Sequence, residues 1–367
     1  MSTATRVAAV DCGTNSVRLL IADIVDGRLT DLERRMEIVR LGQGVDKTGR
    51  LAPEALDRTF AAMRGYAKLI ATHDVTGTPI RTRVVATSAT RDASNRDDFV
   101  RGVVDIFGVE PEVVTGEEEA RLSFIGATKD LSALRPMRPY LVVDIGGGST
   151  EFVFGTGEVE AARSVDIGCV RLTERHLRSD PPSPEQVAAA VADIDAALAS
   201  VRDGQAAQET AGVPGPPGNG APGADPAAAR ALADAADPFA AARALAETAP
   251  ARPAESLPAV PVAEARTLVG LAGSVTTVAG IALDLPAYDS ERIHLSRIKA
   301  RQVHDVTRTL LRSTHDERGR IGVMHPGRVD VIGAGALILD RIMREYAFAD
   351  VIVSERDILD GIAWSLV

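Results

Sequence analysis

Two stretches of the sequence join an aspartate to a glycine turn and a run of hydroxyls. They are Asp11-Cys12-Gly13-Thr14-Asn15-Ser16 and Asp144-Ile145-Gly146-Gly147-Gly148-Ser149-Thr150. Glycine lets successive backbone N–H groups converge on an anion, and hydroxyl and amide side chains add donors. The chemistry such turns can do is to hold phosphate oxygens. Asp144 and Glu151 flank the second turn. Carboxylates beside a phosphate loop repel a polyanion unless a cation intervenes, and Mg²⁺ binds through one or two carboxylates plus phosphate oxygens. The plainer reading is an ordinary β-turn with Asp144 capping it and Glu151 in solvent.

Three further segments carry reactive side chains. In ATSATRDASN (86–95), Thr87 and Ser88 follow a strand, where α/β ligand crevices open, and Arg91 can grip a phosphate through two N–H groups. A loop with Asn95 as a helix cap explains the same residues. In TGEEEAR (115–121), one of Glu117, Glu118 and Glu119 can act as a general base on water, or all three simply satisfy a helix N-terminus. Glu119 has small helical neighbours, Ser123 and Gly126, that leave room for a ligand, whereas Glu118 heads a core-like stripe with Leu122 and Ile125. On these residues alone the two glutamates stay close to even. In LVGLAGSVTTVAGIAL (268–283), Gly273, Ser274 and Thr276 can meet the far end of a phosphate chain or a nucleotide, although tight helix packing also accounts for Gly273.

Alternating strands and helices must position these groups. Residues 6–11, 16–27 and 29–41 read as strands, 53–73 as a helix with Leu56, Phe60, Met63, Ala67 and Ile70 on one stripe, and 81–89 as a strand. A helix over 94–107, a short strand over 109–116 and a helix over 116–131 follow. VDCGTNSVRLLI (10–21) aligns without gaps on VDIGGGSTEFVF (143–154) at a constant offset of 133. The repeat predicts two halves of similar fold, each opening with a β-hairpin, with the two turns facing across a cleft. In 320–343 a loop leads into a buried helix, Gly333 and Gly335 suit close helix packing, and Arg328 with Asp330 reads as a structural pair. Residues 203–264 read as a mostly disordered surface insertion, because ten of the twenty prolines fall within 211–262.

Composition narrows the class. The 367 residues are 45 % apolar and 25 % charged, as expected for a globular chain of two domains, and the net charge of −10 argues against a nucleic-acid binder. Two distant cysteines exclude a disulfide framework and a cysteine zinc site, and six scattered histidines form no ligand spacing. The longest apolar run, 331–339, is too short to span a bilayer. A soluble cytoplasmic protein is the expectation.

These motifs, with DIGCVRLTE (166–174), resemble in order the exopolyphosphatase and guanosine pentaphosphate phosphohydrolase (Ppx/GppA) family of the actin-like ATPase superfamily. The resemblance covers about 6–200 and 266–365. It is closest to the short two-domain form found in actinobacteria, which lacks further helical C-terminal domains. It implies an α/β fold of two actin-like (ribonuclease H-like) domains around a cleft. Domain I would be 1–136, completed by the C-terminal helix 355–367, and domain II 137–354. The implied activity is Mg²⁺- or Mn²⁺-dependent release of terminal orthophosphate from short polyphosphate, with the alarmone pppGpp as the second substrate. Glu119 is then the base, with Glu118 the runner-up, and Asp144 and Glu151 position the metal and water. Residues 13–16 and 146–150 cradle phosphates, Arg91 grips one, and Cys12 packs. A homodimer is expected. An actin-like phosphotransferase and a non-catalytic polyphosphate or alarmone sensor are the competing classes.

Overall fold

In the computed structural model, residues 4–74, 80–204 and 259–367 are described. Strands β1 (Thr5–Cys12), β2 (Ser16–Val25) and β3 (Arg28–Ile38) form an antiparallel meander. β1 then pairs in parallel with β4 (Arg81–Ala86), and β4 with the two-residue β5 (Glu112–Val113), giving the order β3-β2-β1-β4-β5. A second sheet repeats the plan. In it β6 (Tyr140–Ile145), β7 (Thr150–Gly155) and β8 (Val159–Val165) form the meander. Next come β9 (Thr267–Leu271), β11 (Asp350–Val353) and an added edge strand, β10 (Arg297–Lys299), in the order β10-β11-β9-β6-β7-β8. The duplication read from the sequence is therefore a duplication of topology.

Burial explains which segments became central. All six positions of β6 and of β7 are buried, as a sheet covered on both faces requires. The covering helices on the first half are α1 (Val45–Thr48), α2 (Pro53–His73), α3 (Ser88–Arg91), α4 (Arg96–Phe107) and α5 (Gly116–Thr128). On the second half they are α6 (Cys169–Arg175), α7 (Pro184–Asp203), α8 (Ala272–Ala282), α9 (Ala300–Arg312) and α10 (Ile332–Glu345). α2 spans the expected 53–73; Leu56 and Met63 of the expected stripe are buried and Phe60 and Ile70 pack half-buried on the same core, with Ala55, Thr59, Ala62 and Tyr66 completing the buried face. The last helix, α11 (Ile358–Trp364), does not join the sheet that precedes it in sequence. Ile358, Leu359 and Ile362 pack with Val7, Leu20 and Val85 of the first sheet and with Leu122 of α5.

The predicted insertion, 203–264, falls largely on residues outside the described ones. Its downstream limit is too generous: Val260 and Val262 are buried in the second core, and the Val260 N–H donates to the Val201 carbonyl at 3.0 Å. Among the described residues, no helix is long and apolar enough to cross a membrane.

Candidate active site

The two hairpin turns have one geometry. Gly13 N–H donates to Ser16 O and Gly146 N–H to Ser149 O, each at 3.0 Å. They also meet. A Cβ on Gly147 would sit 2.9 Å from Thr14 Cβ, and one on Gly148 would sit 2.6 Å from Ser88 Oγ. The Thr14 and Ser88 hydroxyls are 2.9 Å apart. Only glycine at 147 and 148 permits this approach. The turns open into one cavity of about 570 Å³. Asp11, Gly13, Thr14, Asn15 and Ser16 line it from the first half, together with Thr87, Ser88 and Glu119. Asp144, Gly146, Gly147 and Ser149 line it from the second, with Gly273, Ser274 and Thr276.

Four candidates lie outside that lining. Thr150 is fully buried and its hydroxyl donates to Ile167 O. Gly148 packs behind the turn against Thr14 and Ser88. Arg91 stands behind Glu119, donating to its carboxylate and to Val114 O, both at 3.1 Å. Glu151 accepts the hydroxyls of Ser149 and Ser164 at 2.6 and 2.8 Å.

The two glutamates of the helix start separate cleanly. Glu118 pairs with Arg121 at 2.7 Å, and that hydrogen bond holds its carboxyl below the usual range. Glu119 is buried, and burial together with the charges of Glu151 and Asp144 pushes its proton affinity well up against the opposing pull of Arg91. The space beside Gly126 is not left for a ligand, as expected, but is filled by the turn into α11. A Cβ there would lie 1.8 Å from Asp357 O. Ser123 is also engaged, donating to Asp144 at 2.7 Å.

Asp144 and Glu151 face each other across β6 and β7, as Asp11 and Arg18 do across β1 and β2. Position 18 of the first copy is position 151 of the second. In the first turn the carboxylate meets a guanidinium: Arg18 Nη2 lies 2.6 Å from Asp11 Oδ2, and Nη1 pairs with Asp357. In the second turn it meets another carboxylate. Burial, with the charge of Asp357 and against Ser123, pushes Asp144 to about 6; burial and Asp144 push Glu151 to about 8. Among the described residues, no three His, Cys, Asp or Glu side chains form a metal cluster by themselves. A divalent cation completed by phosphate oxygens nonetheless suits this donor set, because two hard carboxylates lie there with excess negative charge and Asp11 Oδ1 is buried without a partner.

The sequence profile of the Ppx/GppA phosphatase family matches residues 20–212 and 234–367. The chain belongs to the Ppx/GppA phosphatase family. It is 42 % identical to exopolyphosphatase 2 of Mycobacterium tuberculosis, over 99 % of this chain and 98 % of that one. A solved exopolyphosphatase-like protein is 36 % identical with a TM-score of 0.77, covering 98 % of each chain. The Aquifex aeolicus family member is 29 % identical with a TM-score of 0.70, over 99 % of this chain and 97 % of that one. The α/β actin-like fold expected from the motifs is the fold of this Ppx/GppA chain.

Sequence reasoning missed several groups in this family member's cavity. Arg18, Tyr288, Glu355, Asp357 and Arg328 all line it. For Arg18 the signal was present in the repeat, since the gapless alignment sets it against Glu151. The expected Arg328–Asp330 pair does not form. Arg328 donates to Gly273 O and Thr277 Oγ1, while Asp330 pairs with Arg40 at 2.6 Å and His315 at 3.0 Å. Arg171 of the DIGCVRLTE motif (166–174) donates to Gly148 O at 2.7 Å and pairs with Asp46 and Asp92, tying the second turn to the first half.

Proposed function

We propose that this Ppx/GppA chain is an exopolyphosphatase that hydrolyses the terminal phosphoanhydride of inorganic polyphosphate, short chains first. The observation that carries the reading is the opening of two phosphate-type turns and one buried glutamate, Glu119, into a single cavity. The backbone N–H groups at 14–15 and 147–149, which the turn-closing bonds of Gly13 and Gly146 leave free, hold phosphate oxygens with the side chains of Thr14, Asn15, Ser16 and Ser88 and set the terminal phosphorus in place. Gly273 and Ser274 meet the chain further along. Glu119 accepts a proton from the attacking water, and burial beside Glu151 and Asp144 makes it a stronger base than an ordinary carboxylate. Arg91 fixes the orientation of that carboxylate. Thr150 and Gly148 serve the turn's shape, and Glu118 takes no part. Phosphoryl transfer depends mainly on positioning and charge stabilisation, which these groups supply. A Mg²⁺ or Mn²⁺ ion held by Asp144 and Glu151 would neutralise charge on the phosphate oxygens.

The domain division at 136/137, with α11 completing domain I, belongs to the same proposal and is supported by the packing of Ile358, Leu359 and Ile362 on the first sheet. So do the expected homodimer and a cytoplasmic location. Hydrolysis of pppGpp is the second reading. Met36, Val323, Met324 and Ile332 give the cavity an apolar wall, for which a purine has a use and an inorganic chain has none. Orthophosphate release is measured across a ladder of polyphosphate lengths and from pppGpp, with Mg²⁺ and no acceptor. Release from the polyphosphates is expected. Release only from pppGpp selects the second reading, and no release without an added acceptor selects a phosphotransferase or a sensor.

A further inference from the structure

Five carboxylates line the cavity, and they differ in what answers their charge. Asp11 and Asp357 share Arg18, and Glu119 has Arg91. Asp144 takes the Ser123 hydroxyl and stands at the proposed cation site. Glu355 is the exception: among the described residues no cationic side chain comes within ion-pair distance of it. Its side-chain hydrogen bond is neutral, from the Tyr288 hydroxyl to Oε1 at 2.6 Å. Arg328 and His294 draw on its charge from further away, and Asp357 adds negative field. The Tyr288 hydroxyl already lies 2.8 Å from Thr276 Oγ1, so the carboxylate is not needed to satisfy it.

The carboxylate is also fixed in place, by the turn between β11 and α11. Ser354 N–H donates to Gly270 O at 2.9 Å, Glu355 N–H to His294 Nδ1 at 3.2 Å and Arg356 N–H to Ser354 Oγ at 3.0 Å. Its place is away from the reacting end. The charges that act most on Glu119 are those of Glu151, Arg91 and Asp144, whereas Glu355 feels Asp357, Arg328 and His294. From the start of α8 the cavity wall runs through Gly273 and Ser274 to Thr276, then across the Tyr288 hydroxyl to Glu355. A phosphate chain that leaves the turns and passes Ser274 therefore runs toward an anion. Like charge set against the longer of two ligands is a means of rejecting it while the shorter one still binds.

We infer that Glu355 is a specificity-determining residue, whose carboxylate repels the phosphates of chains long enough to reach it and so biases the cavity toward short ones. This rests on the hydrolase reading above and supplies a cause for its short-chain preference. KM and kcat are measured for wild type, Glu355→Gln, Glu355→Asp and Tyr288→Phe with tripolyphosphate and with a long inorganic polyphosphate. Burial raises the Glu355 carboxyl above the usual range, so the assays run at pH 8. The glutamine keeps an acceptor for Tyr288 and loses the charge. For Glu355→Gln, KM for the long chain falls about fivefold or more, while KM for tripolyphosphate and both kcat values stay within about twofold. Glu355→Asp, which keeps the charge, and Tyr288→Phe, which keeps the charge and loses the hydrogen bond, hold the wild-type ratio of the two KM values within about twofold. An unchanged or higher long-chain KM in Glu355→Gln, an equal fall on both substrates, or the same fall in Tyr288→Phe overturns the inference. Glu355→Ala takes the place of the glutamine variant if that one fails to fold, with the same expectations.

A binding measurement needs no turnover. Calorimetry compares the long chain on Glu119→Gln with the long chain on the double variant Glu119→Gln/Glu355→Gln. The double variant binds about fivefold or more tightly, and equal affinity overturns the inference. Failure of the hydrolase reading looks different: wild type then releases no phosphate from either substrate, whatever the calorimetry gives.

Discussion

Glu151→Gln isolates the charge imbalance of the second turn. Both hydrogen bonds to Glu151 end on one oxygen, Oε1, from Ser149 and Ser164, and the glutamine carbonyl can accept both. The substitution therefore removes a buried charge and keeps the geometry. Burial and the Asp144 charge raise the glutamate from 4.5 to about 8. Because the folded pKa lies above the unfolded one, the folded state holds the proton longer. The stability linked to this group is complete below about pH 4.5 and is lost as the pH climbs to 8. At 1.36 kcal/mol per unit, ionising this site costs the metal-free protein about 1 kcal/mol at pH 5 and about 4 kcal/mol at pH 8. Glu151→Gln escapes that cost. In chelator, followed by far-UV circular dichroism, the variant should match wild type to within roughly 2 °C in Tm at pH 5. At pH 8 it should melt roughly 5–10 °C higher. Millimolar Mg²⁺ should recover most of the difference for wild type and little for the variant, since binding to the folded state alone stabilises by mass action. A variant less stable than wild type at pH 8, or a Tm gap equal at both pH values, would refute the reasoning.

The remaining expectations concern how the two halves are held together. Gly147→Ala places a Cβ 2.9 Å from Thr14 Cβ and pushes the turns apart, so phosphate release falls more than about tenfold with little change in Tm. Gly126→Ala drives a Cβ to 1.8 Å from the carbonyl oxygen of Asp357, which has no side-chain freedom to yield. Urea unfolding should show a loss of about 3 kcal/mol or more. Arg171→Ala breaks the link from Gly148 O to Asp46 and Asp92, and KM for polyphosphate rises several-fold. The wild-type KM should rise with salt more steeply than that of Arg171→Ala, because these pairs are partly solvent-screened.

Much of the site was legible because the sequence carries it twice. Asp11 and Asp144, Gly13 and Gly146, and Ser16 and Ser149 align without a gap, and the two sheets repeat one strand order around them. The errors came where a residue's partner lies far along the chain. Gly126 invited a ligand in the sequence, but its neighbours Asp357 and Gly361 come from the last helix, which no local pattern places against α5. Arg328 and Asp330 are two residues apart and of opposite charge, which reads as a pair. The tight turn at Pro326–Arg328 instead sends the arginine to Gly273, while the aspartate meets Arg40 and His315. Arg91 was legible as a site residue, but its contact with Glu119, which keeps it behind the carboxylate, depends on the end of α3 meeting the first turn of α5. Asp357 sits on a helix start like any cap, and its pairing with Arg18 emerges only when α11 crosses to the first sheet.

The proposed hydrolysis turns on Glu119 taking the proton from water as it attacks the terminal phosphorus. The direct measurement is single-turnover orthophosphate release by wild type and Glu119→Gln, with polyphosphate affinity determined in parallel by calorimetry. For Glu119→Gln the rate should fall by about 10²–10⁴, the range for losing a general base, with affinity unchanged within about threefold. Release at the wild-type rate by Glu119→Gln, with Glu118→Gln inactive instead, would contradict it.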